Sequence, residues 1–175
     1  MLTPEMSTER LILRPLVMED AEKVFSRWAG DPDNTRFMQW DTHKDISVTR
    51  EWLNTEVLAL KDDHHYNWAV INKEDGEIIG SMGFYMNGDK GLFEIGYIIM
   101  KSFWGRGLVT EAAKRIILFA KEKLGAKEMF AKHAVDNIGS GRVLEKLGFK
   151  FQGLGTYNKF SGTETFESKE YLLRM

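Results

Sequence analysis

The stretch Phe93-Glu-Ile-Gly-Tyr-Ile-Ile-Met-Lys-Ser-Phe-Trp-Gly-Arg-Gly-Leu-Val-Thr-Glu-Ala112 decides how the rest of the chain is read. Phe93, Ile95, Tyr97, Ile98 and Ile99 are β-branched or aromatic and predict a buried strand over about 93–100. Gly105 and Gly107 then flank Arg106 in a tight turn, and a long amphipathic helix starts at about 107. Glycine permits positive φ and lets a ligand approach the backbone closely. The first N–H groups of the helix have no intrahelical partner and lie at the positive end of its dipole. Strand, glycine turn and helix N-terminus together predict an anion site suited to phosphate or pyrophosphate.

Two common phosphate motifs do not fit. A dinucleotide fingerprint needs a third glycine where Thr110 stands, and no Lys-Ser or Lys-Thr pair follows the glycines as an ATP loop requires. The turn Trp104-Gly-Arg-Gly107, behind a strand bearing Glu94, resembles the coenzyme A signature of the GNAT superfamily of N-acetyltransferases. Its extension to Thr110-Glu-Ala112 is similar to the branch that acetylates the N-terminal serine or alanine of ribosomal proteins. A second segment, Asn137-Ile-Gly-Ser140 through Gly148-Phe149, resembles the other signature of the family and follows one helix and one strand later, in the family order. The resemblance runs from about Arg10 to Leu173. One position departs from it: Ser102 stands where the family often has Gln or Arg, leaving Arg106 to supply the positive charge.

Length and composition are compatible with that resemblance. The 175 residues predict one domain over 1–175, large enough for a core without disulfide staples. There is no cysteine, which removes thiolate catalysis and Cys-based zinc sites and fits a reducing, cytoplasmic setting. The N-terminus has no apolar run and no stretch approaches a membrane span, so no membrane partner is expected. A net charge of −2 predicts no nucleic-acid partner. Asp62-Asp-His-His65 is read as a solvated loop, because adjacent side chains diverge and converge poorly on a metal.

In chain order, 10–16 reads as a strand stopped at Pro15, and Met18–Gly30 as one amphipathic helix. Residues 31–46 read as irregular, and a second helix runs from Ser47, its expected N-cap, to Lys61. Strands at 66–72, 77–86 and 92–100 form an antiparallel meander. The helix to Leu124, stopped by Gly125, leads to a strand at 127–135 that can return parallel by a right-handed crossover. A short helix after Asn137, strands at 149–154 and 169–173, and a polar loop between them complete the chain. The expected fold is mixed α/β: a largely antiparallel six- to seven-stranded sheet with helices on both faces. The family resemblance adds a central parallel strand pair splayed to hold acetyl-CoA.

That resemblance implies the site. The backbone of Tyr97, Ile98, Ile99 and Met100 would hold the pantetheine arm. The N–H groups of Trp104, Gly105, Arg106, Gly107, Leu108, Val109 and Thr110 would hold the pyrophosphate. Asn137, Ser140 and Arg142 would complete cofactor binding, although Asn137 is equally a plain helix cap and Arg142 a solvated helix charge. Glu94 is the expected base, acting through water, and Ser140 the expected proton donor to the departing thiolate. Phe37, Trp40 and Tyr157 are expected walls of the substrate pocket, and no metal is expected. A homodimer is compatible with the resemblance.

The acceptor is an amine, and magnitudes separate the classes. An α-amine with pKa ~7.8 costs about 1 kcal/mol to deprotonate at neutral pH, against about 4.6 kcal/mol for a lysine side chain at ~10.4. With Glu94 alone as base, a protein N-terminal α-amine is the easier substrate. A small amine (polyamine, amino acid or aminoglycoside) and a non-catalytic CoA-binding module are the alternatives. An acidic, enclosed pocket would favour a polycation, and an open groove a peptide.

Overall fold

The computed structural model describes residues 2–175. Its strands are β1 (Met6–Ser7), β2 (Leu11–Pro15), β3 (His65–Asn72), β4 (Ile78–Asn87), β5 (Leu92–Ile99), β6 (Glu128–Ala134), β7 (Lys150–Asn158) and β8 (Thr165–Arg174). They form one eight-stranded sheet in the order β1-β2-β3-β4-β5-β6-β8-β7. The count exceeds the expected six to seven; one of the strands is β1, two residues paired to β2 at the edge. Every neighbouring pair is antiparallel except β5 and β6.

The helices are α1 (Ala21–Val24), α2 (Pro32–Thr35), α3 (Ile46–Ala59), α4 (Leu108–Leu124) and α5 (Ile138–Lys146). Three of these differ from expectation. The single helix read over Met18–Gly30 is a 3₁₀ turn at Met18–Asp20, α1, and a π turn at Phe25–Ala29. The stretch read as irregular contains α2, started by the Asp31 side chain accepting from Asp33 N with Pro32 at the first helical position. Asp45, not Ser47, caps α3: its carboxylate accepts from Ser47 N at 2.8 Å.

Periodicity places the layers. In α4 the apolar stripe Leu108, Ala112, Ala113, Ile116, Phe119 and Ala120 is buried on one face of the sheet. There it meets Tyr66, Trp68, Phe84 and Phe93, whose rings contact one another and Phe119. The Trp68 indole N–H, inside this cluster, donates to Pro4 O at 2.7 Å, so it is not orphaned. The opposite face carries a second core of Leu16, Val24, Trp28, Leu53, Ala69 and Ile98, under α1 and α3. Helices therefore cover both faces.

The C-terminal hairpin differs most from expectation. The polar loop read over 155–168 is mostly strand: β7 and β8 pair from Lys150↔Leu172 to Asn158↔Thr165. Its tip holds the 36–41 segment, with Tyr157 Oη donating to Phe37 O at 2.7 Å and Phe160 N to Gln39 O at 2.6 Å. Among the described residues no helix is long and apolar enough to cross a membrane.

Candidate active site

β5 and β6 pair at only two positions, Phe93↔Met129 and Glu94↔Phe130. Beyond these they run on to Ile99 and Ala134 without pairing each other, so the parallel pair splays as the family resemblance implied. The backbone of β5 faces alternate sides along this run. Ile98 O points at Gly80 on β4, and Met100 N donates to Ile79 O at 2.8 Å. By alternation Tyr97 and Ile99 turn their backbone groups into the gap. Ile99 O is already taken by the Trp104 indole N–H at 2.9 Å. The four expected pantetheine positions thus divide: Tyr97 and Ile99 face the gap, whereas Ile98 and Met100 are committed to β4.

At the end of β5 the chain passes through a 3₁₀ turn, Lys101–Phe103, into the glycine turn. Gly105 and Gly107 have φ of +75° and +76°, the left-handed region that L side chains avoid. Gly107 is the N-cap of α4, and Glu111 N is the first to bond back, to Gly107 O at 3.0 Å. The Trp104 N–H, expected to face the pyrophosphate, is instead spent on Lys101 O at 3.1 Å in closing the 3₁₀ turn; among the described residues, the N–H groups from Gly105 to Thr110 have no acceptor. Unpaired donors at a helix N-terminus suit a pyrophosphate. Arg106 is exposed with its guanidinium 4.9 Å from the Phe103 ring centroid, and Trp104 is also exposed, whereas Leu108 is core.

Glu111 locks this turn to the N-terminal strand. Its carboxylate accepts from Thr8 Oγ1 at 2.6 Å, Arg10 N at 2.8 Å and Arg10 Nε at 2.7 Å, while Arg10 Nη1 donates to Arg106 O at 3.0 Å. Burial raises the Glu111 pKa, but the hydrogen bonds from Thr8 and Arg10 outweigh it and hold the carboxyl below its ordinary value.

The splay opens into a cleft of about 530 Å³ that reaches both sheet faces. Phe37, Trp40 and Tyr157, expected as pocket walls, all line it, as do Glu94, Asn137 and Ser140. On the α3 face, register sets His65 on β3 opposite Tyr85 on β4, and Tyr85 opposite Glu94 on β5. The next row is Asn67, Gly83 and Gly96; Gly96 leaves its part of the floor bare, since a Cβ there would meet nothing within 4 Å, whereas a Cβ on Gly83 would run into Tyr66 O and Asn67.

Glu94 is 4% exposed. Lys132 Nζ lies 3.2 Å from its Oε1, and Asn87 Nδ2 donates to Oε2 at 2.6 Å. Burial and the neighbouring Glu94 carboxylate push the Tyr85 phenol well up from its ordinary pKa. A second carboxylate, Glu56 on α3, is 2.8 Å from His65 Nε2; that hydrogen bond raises the His65 pKa against the opposing effect of burial. Lys132, Tyr85, Asn87 and the Glu56–His65 pair escape sequence reading. The first three stand close to Glu94 only once hairpin register and the parallel crossover are set. Nothing in the sequence links residue 56 to residue 65.

On the α4 face Asn137 caps α5, its Oδ1 accepting from Ser140 N at 3.2 Å. Ser140 Oγ lies 2.7 Å from Tyr97 Oη. Arg142 is exposed on α5. Glu94 and Ser140 thus reach the cleft from opposite faces of the sheet, joined through the gap between β5 and β6.

A splayed strand pair beside a helix N-terminus rich in free N–H groups fits a thioester carried on a pyrophosphate handle, the architecture of an acyltransferase that uses acetyl-CoA. The chain belongs to the GNAT acetyltransferase family: the family model described as an acetyltransferase (GNAT) domain matches residues 10–150. It is 32% identical over 157 residues to the uncharacterized N-acetyltransferase p20 of Bacillus licheniformis, covering 89% of this chain and 88% of that protein. It is 26% identical to the [ribosomal protein uS5]-alanine N-acetyltransferase of Escherichia coli, covering 85% and 79%. Among solved structures, a GNAT-family acetyltransferase from Bacillus anthracis superposes with a TM-score of 0.82 at 21% identity, over 98% of each chain. The protein is therefore an acetyl-CoA-dependent N-acetyltransferase acting on an amine acceptor.

Proposed function

We propose that the acceptor is an α-amine at a protein or peptide N-terminus. One observation carries this reading: the two carboxylates lining the cleft are both paired, Glu94 with Lys132 and Glu56 with His65. The cleft is not an acidic sink, and a polycation would find no surplus negative charge there. A singly charged α-amine needs only one partner, and its low deprotonation cost of about 1 kcal/mol matches a single carboxylate base. The relative that acetylates the alanine of a ribosomal protein supports the same class of acceptor.

Acetyl-CoA supplies the thioester; the C–N bond forms at its acyl carbon as the C–S bond breaks. Glu94 draws in the ammonium and takes its proton through water, so that the neutral amine attacks. Gly96 leaves room for that amine beside the carboxylate. Tyr97 and Ile99 orient the pantetheine through backbone groups in the gap, and the N–H groups from Gly105 to Thr110 hold the pyrophosphate. Ser140, backed by Tyr97, gives a proton to the departing sulfur and recovers one, through water, from the nitrogen as it becomes an amide. Holding both reactants in one gap accounts for much of the acceleration.

The test is thiol release from acetyl-CoA against three acceptor groups: peptides beginning with Ser, Ala or Thr, polyamines, and aminoglycosides. Turnover of the peptides, abolished by blocking the N-terminus and unaffected by replacing internal lysines, is the expected result. Turnover of small amines alone would overturn it.

A further inference from the structure

We infer that Lys132 is a specificity-determining residue: its ammonium binds the carbonyl oxygen that follows the reacting amine and so restricts the acceptor to α-amino-acyl groups. The inference rests on the α-amine reading above and adds to it the group that enforces the choice.

Lys132 lies on β6, two residues beyond the last position paired to β5, on the same sheet face as Glu94. Its side chain is 16% exposed and that of Glu94 5%. An ion pair this buried loses most of its Coulomb gain to desolvation, so fold stability does not explain it. Asn87 holds the other carboxylate oxygen, Oε2, so the orientation of Glu94 does not rest on Lys132 alone. The pair instead presents a positive and a negative head 3.2 Å apart on the wall of the cleft.

Each head has capacity left. A lysine ammonium has three donors, of which one serves Glu94, and a carboxylate has about four lone-pair sites. The Tyr157 ring, 5.7 Å from Nζ, flanks the ammonium without consuming a donor. Beside the pair, Gly96 leaves the floor bare.

The complementary ligand carries a cation and an oxygen acceptor three bonds apart, as in an N-terminal residue with its first carbonyl. The ammonium meets Glu94 and the oxygen meets Lys132. A lysine side chain or a simple alkylamine offers no oxygen, and a diamine brings a second cation toward Lys132. Selection is thus positive toward the α-amino-acyl group and repulsive toward polyamines.

The experiment compares wild type, Lys132→Met and Lys132→Arg with three acceptors: an alanyl peptide, isopropylamine and spermidine. Wild type is expected to favour the peptide in kcat/KM. In Lys132→Met the preference over isopropylamine should fall tenfold or more, through the peptide alone, and Lys132→Arg should retain most of it. Calorimetry of peptide binding to the CoA-bound protein should show the same loss, with CoA affinity unchanged. Parallel losses for peptide and isopropylamine would overturn the assignment and leave Lys132 as a support for Glu94. Should Lys132→Met not fold, the double variant with Glu94→Gln removes both charges, and the ratio of peptide to isopropylamine affinity is read instead. Preference of the wild type for spermidine would overturn the α-amine reading itself, before any variant is made.

Discussion

Tyr97 Oη and Ser140 Oγ lie 2.7 Å apart, joining the strand that lines the gap to the helix on its far side. Burial pushes the Tyr97 phenol up to about 12, against the opposing pull of its hydrogen bond to Ser140. It therefore keeps its proton throughout the neutral range. Tyr97→Phe and Ser140→Ala should each lower kcat by about 10–100-fold with little change in KM for acetyl-CoA. If the two act as one unit, the double variant will be no slower than the worse single one. Steady-state kinetics on the four proteins decides this, and multiplying defects would mean separate roles.

Glu94→Gln keeps the shape of the side chain and removes its charge. The expected result is a fall in kcat of about 100-fold and loss of the acidic limb of the pH–rate profile. A retained limb would move the proton-accepting role elsewhere. Lys132 is left without its counter-charge in this variant, so thermal melting should accompany the kinetics.

Gly107 occupies the left-handed region at φ +76°. Gly107→Val would force a β-branched side chain there, at a cost of about 1–2 kcal/mol, and tilt the N–H groups that face the phosphates. Acetyl-CoA affinity measured by calorimetry should fall at least tenfold. Unchanged affinity would remove this turn from phosphate binding.

The Glu111 clasp should be visible in stability as a function of pH. Its folded-state pKa lies below the ordinary value, so its contribution is present above the ordinary carboxyl pKa. It is lost as pH falls through the depressed value. Glu111→Gln should cost about 1–2 kcal/mol at neutral pH, because Thr8 and Arg10 lose a charged acceptor, and should matter progressively less in acid. Chemical denaturation at the two pH values measures it.

His65 has the opposite sign. Hydrogen bonding to Glu56 raises its folded-state pKa, so the pair contributes fully below the ordinary histidine pKa and loses that contribution as pH rises through the raised value. Glu56→Gln should therefore lower the melting temperature more at mildly acidic than at mildly alkaline pH. Equal shifts at both would show that the pair does not titrate in this range.

Local chemistry made most of the fold legible. The period-two runs of β3 to β5, the apolar stripe of α4 and the glycine that ends α4 read correctly because neighbouring residues alone set them. Asp45 displaced Ser47 as the cap of α3 because its side chain accepts from Ser47 N, which starts the helix two residues earlier. The polar 155–168 segment misled for a different reason: β7 is the edge strand and mostly exposed, so its composition lacks the apolar alternation of a half-buried strand. Its strand character comes from pairing with β8.

The sequence by itself determined the strand, the glycine turn and the helix that follow one another from Phe93 to Ala112, and with them the family and its cofactor, because a pyrophosphate site of this kind is built from consecutive residues. Tertiary structure alone decided what the acceptor meets. Glu94, Lys132, Asn87 and Tyr85 come from three strands, and Glu56 and His65 from a helix and a strand. Register and the parallel crossover bring them together, and a charge's effect depends on the partner within hydrogen-bond reach rather than on its neighbours in the chain.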